Sequence, residues 1–189
     1  MYRTYTRSGE SVNNRKQIRN KVKELLSTQI DGQYPTMAGN RVYTNRQDRA
    51  QSDEYPYIDI VLKAEKLEKD DQAPRTKKRR LALHIECVVN KSTEEDDLED
   101  KCDDFCGQVE NIFNEHRFLG DLVEDTDQTD VESDISQEGE EPIGGIRLIY
   151  EVTYISNEFY SPELNNFETI NQKFETEENI MESEINLTQ

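Results

Sequence analysis

Three stretches of two-residue alternation constrain this chain more than any other feature. In the first, Ile58, Ile60, Leu62 and Ala64 alternate with Asp59, Val61 and Lys63. In the second, Leu81, Leu83, Ile85, Cys87 and Val89 alternate with Ala82, His84, Glu86 and Val88. In the third, Ile146, Leu148, Tyr150, Val152 and Tyr154 alternate with Arg147, Ile149, Glu151 and Thr153. Successive strand residues point to opposite faces, so each run marks a strand with one buried face. Strands of this kind belong in an antiparallel sheet covered on one side only. Pro56 is tolerable at the start of the first strand, and residues 41–44 add a short strand before it.

Two helices supply the cover. Ile18, Val22, Leu25 and Leu26 recur at helical spacing, with Val12 before them and Ile30 after. Ser8 or Ser11 can cap this helix, and Asp31-Gly32 can stop it. Its polar face carries Arg15, Lys16, Arg19, Lys21 and Lys23. The second helix presents Leu98, Cys102, Phe105, Cys106, Val109, Ile112 and Phe113 as one stripe, with Gly120 beyond its end. Ser92-Thr93-Glu94-Glu95 reads as a capping box whose acids suit the positive end of the helix dipole. Residues 121–145 are acidic and read as a loop or an irregular hairpin. The expected fold is α+β: a mainly antiparallel sheet with two helices packed on one face, plus a C-terminal extension.

The domain is expected to span residues 1–156 and the acidic extension 157–189. Ser161-Pro162-Glu163 is a helix-start signature, followed by Leu164, Phe167, Ile170 and Phe174 at spacings that suit an amphipathic helix. Two readings stand for this extension: a frayed tail, or a helix that docks on a neighbouring subunit or a partner's groove.

Charge excludes some roles. The 189 residues carry 23 Lys+Arg against 41 Asp+Glu, a formal net charge of −18. A polyanion repels phosphates, so general nucleic-acid binding is not expected unless the cations are segregated. They are: residues 1–50 hold ten Lys/Arg against four Asp/Glu, whereas residues 92–189 hold four against 29. This fits either solvated acidic loops beside a basic helix or a particle whose two ends face different neighbours. No apolar run approaches the roughly 20 residues of a membrane-spanning helix. The N-terminal residues do not read as a secretory signal, and three cysteines fit reduced thiols in a cytoplasm.

Sequence patterns for catalysis are thin. His84, Glu86, Cys102 and Cys106 resemble fragments of a zinc deaminase site, but the cysteine spacing is wrong and the Pro-Cys element is missing. Cys102 and Cys106 lie within an apolar stripe and read as core residues. Asp125, Asp127 and Asp130 begin like a calcium loop but lack its Gly at position six and Glu at position twelve. There is no phosphate-binding Gly-rich loop. No catalytic, cofactor-binding or metal site is expected. The alternative from the enzyme class is a small metal-dependent nuclease using Asp59 and Glu86.

Taken in order, these elements resemble the tail terminator proteins of long-tailed bacteriophages. The likeness rests on Tyr55-Pro56-Tyr57-Ile58-Asp59-Ile60-Val61-Leu62 as an aromatic-Pro strand start, then Leu81-Ala82-Leu83-His84-Ile85-Glu86-Cys87 and the acid-capped helix from Leu98. It ends on the Leu148-x-Tyr150-x-Val152-x-Tyr154 rhythm of the last strand, covering about residues 10 to 156. The resemblance implies a structural protein of the virion tail, assembled in the host cytoplasm. In that family a homohexameric ring caps the tail tube, ends its polymerisation and offers a surface for joining to the head. Implied partners are a second copy, the tail tube protein and a head–tail connector protein; DNA passes through without specific binding, and no membrane is involved. A neighbouring head–tail connector built on the same logic is the alternative within this class. Cyclic closure needs two different side patches that meet head to tail. On this reading Arg15, Arg19, Lys23, Arg41 and Arg46 are candidate subunit or tail-tube contacts. Asp125, Asp127 and Asp130 are candidate lumen acids, and Leu164, Phe167, Ile170 and Phe174 a candidate partner-binding extension.

Overall fold

The computed structural model describes residues 14–48, 50–69, 76–91, 97–136 and 142–157, with the backbone of 169–176 and 179–186. Helix α1 spans Asn14–Ser27 and α2 spans Leu98–Glu115. Strands β1 (Val42–Thr44), β2 (Tyr57–Lys69), β3 (Thr76–Asn90), β4 (Asp125–Ser136) and β5 (Ile143–Asn157) form one sheet in the order β1-β2-β3-β5-β4. All its pairings are antiparallel except β1 with β2.

The alternating runs become the sheet's buried face. Ile58, Ile60, Leu81, Leu83, Ile85, Leu148 and Val152 are wholly buried, as are Leu26 of α1 and Phe105 of α2. They belong to one cluster with Ile18, Val22, Val109 and Phe113, so both helices lie on the same side of the sheet. Burying this apolar area supplies the main folding drive. Asp31 and Gly32 adopt left-handed backbone, with φ of 52° and 80°, and end the turn after α1 as their sequence predicts.

Two expectations, for Ala64 and for the cap of α2, need correction. Ala64 does not continue the buried alternation: a bulge between Leu62 and Glu65 shifts the register and leaves Ala64 exposed. Past the bulge β2 runs on to Lys69, with Leu67 opposite Arg79 and Lys66 opposite Arg80. The acidic segment takes the second of its two expected forms, an irregular hairpin: residues 125–136 form β4 antiparallel to β5, with a register shift between Gln128 and Asp130. The cap of α2 is Asp97, whose side chain accepts the Glu99 N–H at 2.9 Å; residues 92–96 lie outside the described residues.

The chain divides into two compact units, residues 1–157 and 158–189. In the second, β6 (Thr169–Thr176) and β7 (Asn179–Asn186) pair antiparallel, where helical spacing predicts an amphipathic helix. The connection is only two residues, so neighbouring strands close as a hairpin.

Candidate functional site

The sheet has two open edges, and they differ in charge. Strand β1 covers β2 only from Ile58 to Ile60, so from Val61 onward that side of β2 has no strand partner among the described residues. The N-terminal turn of α1 overhangs this bare edge. There Arg15 donates to the Lys63 carbonyl at 3.3 Å and approaches Glu65 at 3.7 Å. Arg15, Lys16 and Arg19 line a cleft of about 340 Å³ with Asn45, Ile60 and Leu62. Arg19 Nε is buried there without a hydrogen-bond partner. Lys63 and Lys66 are exposed along the same edge, and Lys23 is exposed farther along α1.

The opposite edge is β4, which carries Asp125, Asp127, Asp130, Glu132 and Asp134 and no cation. Arg117, just past α2, binds Asp125 through two donors and reaches Asp127 at 2.7 Å. The Arg117 hydrogen bond holds the Asp125 carboxyl below its ordinary pKa. Arg147 of β5 donates to Glu86 at 3.0 Å and to Glu132 at 2.8 Å. Asp130 and Asp134 have no cation partner among the described residues. On the helix side of the same strand, Val131 and Ile135 are 40% and 38% exposed. That is high for apolar residues whose register partners are Leu148 and Gly144.

The face of the sheet away from the helices carries a polar row: Asp59, Glu86, Arg147 and Glu132 are aligned across four strands. Asp59 is buried; its Oδ2 accepts the Arg46 N–H at 2.9 Å and its Oδ1 has no partner. Burial, with Glu86 opposite, raises the Asp59 pKa despite the hydrogen bond from Arg46. His84 lies on this face beside Val61 and Ile149, and burial, Lys63 and Arg147 lower its pKa.

Of the five candidate contact cations, Arg15 is bonded to β2, and Arg41 and Arg46 are tied into the segment before that strand. Arg46 stacks against Tyr43 and Tyr57, its guanidinium 4.6 and 5.3 Å from the ring centroids, and pairs with Glu54 at 2.5 Å. Arg41 donates to the Pro56 carbonyl at 2.8 Å. Both lock the segment before β2 rather than present a free charge. Asp125 and Asp127 are likewise held by Arg117, leaving Asp130, which accepts the Val131 N–H, as the member of the acid set without a cation among the described residues. Leu164 and Phe167 lie outside the described residues, while Ile170 and Phe174 stand on β6 instead of a helix.

Sequence reasoning passed over Lys63, Lys66, Arg117, Arg147, Val131 and Ile135. The signal for β4 was present: in Asp130-Val131-Glu132-Ser133-Asp134-Ile135 acids take every second position, with Val131 and Ile135 between them. The three thiols are buried as expected, and burial raises the pKa of each.

No protein-family model matches this chain, and no curated protein does. Among solved structures, it is similar to a chain of the virion of a native gene transfer agent particle. That similarity has 8% identity and a TM-score of 0.45, covering 77% of this chain and 100% of the other. A likeness this remote identifies no family. Among the described residues, no helix is long and apolar enough to cross a membrane.

Proposed function

We propose that this chain is a non-enzymatic virion subunit that closes the end of a phage-type tail tube as a homohexameric ring. It stops tube growth and presents a surface to a head–tail connector. The observation that carries this reading is the pair of open sheet edges with opposite charge on one subunit. A ring needs two unlike patches that meet head to tail, and a subunit with one basic and one acidic edge meets that need. The order of strand motifs from Tyr55 to Tyr154, held here in one core, adds support. The ring contacts the tail tube, with Lys23 a candidate contact, and DNA passes through its lumen without specific binding.

Deleting the chain from its phage and measuring tails by electron microscopy tests this reading. Overlong, headless tails are expected. Tails of normal length that fail to join heads would make the chain a connector instead.

The register favours one further reading enough to test. Asp59 and Glu86 stand directly opposite each other on β2 and β3, as a metal-dependent nuclease would need of its acids. Here Arg147 engages Glu86, and the Arg46 N–H engages Asp59. Incubating pure protein with DNA and magnesium or manganese is expected to yield no cleavage; cleavage lost on Asp59→Asn would establish the nuclease.

A further inference from the structure

The ring reading leaves open how one subunit grips the next. We propose that the joint is a strand-to-strand contact, in which the bare edge of β2, residues 61–69, receives β4 of the neighbouring copy. This inference rests on the ring reading for its biological setting, but its evidence is the geometry of the two edges.

Apart from the Lys63 carbonyl, which accepts from Arg15, both edges present backbone donors and acceptors without partners among the described residues, and such edges recruit another strand unless something blocks them. Charge decides which strand. Two β4 edges brought together would set the acids Asp125 to Asp134 against their own copies. Two β2 edges would oppose Lys63, Lys66 and the Arg15–Arg19 turn of α1 in the same way, offset only in part by Glu65 and Glu68, which Arg15, Arg79 and Arg80 of the same subunit already engage. Like charges directly across a strand pair destabilise it, so both symmetric pairings are disfavoured. Only β2 against β4 joins opposite signs, and that contact is head to tail.

The side chains match on both faces of the sheet. On the helix side, β2 offers Leu62 and Leu67, the latter 57% exposed, and β4 offers Val131 and Ile135. On the open side, Lys66 lies along β2, and Lys63 stands at the bulge two residues after Val61, which faces His84 there. The facing acids of β4 are Asp130, Glu132 and Asp134, opposite Ile149, Arg147 and Gly145 of their own subunit. Docking therefore buries apolar against apolar and pairs cation with carboxylate at once.

Topology also fixes the direction. Strands β2 and β5 run one way and β3 and β4 the other. A rotation axis lying along the strands preserves those directions from copy to copy, so the joint between β2 and the neighbour's β4 is antiparallel.

A charge-swap experiment on the full chain tests the joint, read by native mass spectrometry and sedimentation velocity at low salt. The wild type is expected to self-associate. K63E/K66E alone and D130K/D134K alone are each expected to weaken association about a hundredfold, because each sets like charges across the joint. An equal mixture of the two is expected to reassemble, because every joint then pairs opposite signs. The resulting rings alternate the two variants and hold an even number of copies. Circular dichroism on each variant reports that the fold is kept.

Variants that associate as the wild type does would overturn the joint. So would a mixture that stays apart, or a wild type that remains monomeric at high concentration. The two readings fail separately. Rings that survive both charge reversals remove the joint and leave the tail-capping role standing. Normal-length tails on deletion remove that role and leave the joint standing.

Discussion

Phe113 of α2 stacks on Tyr150 of β5, with ring centroids 4.2 Å apart and planes 16° from parallel. The pair is where the second helix is fastened to the sheet, since both residues are almost wholly buried. Tyr150 Oη has no hydrogen-bond partner, and burial drives its pKa well up. Phe113→Ala is expected to cost about 3–5 kcal/mol in urea unfolding, the range for emptying an aromatic from a core. Tyr150→Phe should be neutral or stabilising by up to about 1 kcal/mol, because it removes an unsatisfied buried hydroxyl and keeps the stack. A large loss from Tyr150→Phe would mean that the hydroxyl has a partner.

Gly144 marks a second tight point. A Cβ built on it would lie 2.8 Å from Cys102 Sγ and 3.2 Å from Val89 Cγ2. Gly144 pairs with Val89 directly under the start of α2, so only a residue without a side chain lets the helix settle onto β5 there. Gly144→Ala is expected to destabilise by about 1–3 kcal/mol through overpacking. Combining it with Cys102→Ala should recover part of that loss, and thermal melts of the single and double variants measure the recovery. Gly145→Ala is the control: its nearest neighbour is the Asp134 carbonyl at 3.7 Å, an ordinary contact.

Arg46 separates a contact role from a structural one. Its guanidinium fills the space between Tyr43 and Tyr57 and pairs with Glu54, while its backbone N–H holds Asp59. Arg46→Ala is expected to lower Tm by a few degrees without weakening self-association. Arg46→Lys should recover little, since an ammonium lacks the flat guanidinium that stacks on both rings. Loss of self-association with an unchanged Tm would restore Arg46 to the list of contacts.

The strands and helices of the core were legible because their alternation is the imprint of a single burial boundary. Leu81 to Val89 and Ile146 to Tyr154 read correctly residue by residue, as did the stripe from Leu98 to Phe113. Strand β4 was legible only as one of two readings, the irregular hairpin, because Asp, Thr, Gln and Ser have weak β-propensity and its pairing depends on β5, which supplies the backbone partners. The bulge at Leu62–Glu65 was hidden for a related reason. Ala64 fits the alternating pattern, and only the register against β3 reveals the extra residue. Charge segregation was visible along the chain, but the sheet order was not. That order puts β2 near one edge and β4 at the other, and so turns a difference between chain ends into a difference between sheet edges.

Asp59 supplies a pH-dependent prediction. Burial is the largest cause of its raised pKa and the facing Glu86 adds to it, while the Arg46 N–H acts the other way. A carboxyl whose folded pKa lies above its unfolded value favours the folded state when protonated and opposes it when charged. Its penalty is therefore full above the folded pKa and fades as pH falls toward the unfolded value, about 3.9 for Asp. Asp59→Asn removes the charge, and its amide oxygen can still accept the Arg46 N–H. The variant is expected to be more stable than the wild type near neutral pH, with the advantage shrinking on acidification toward about pH 4. Urea unfolding of both proteins across that range measures the difference directly. An advantage that grows as pH falls would mean that the Asp59 carboxylate is stabilised in the fold, with the Arg46 contact outweighing both burial and Glu86.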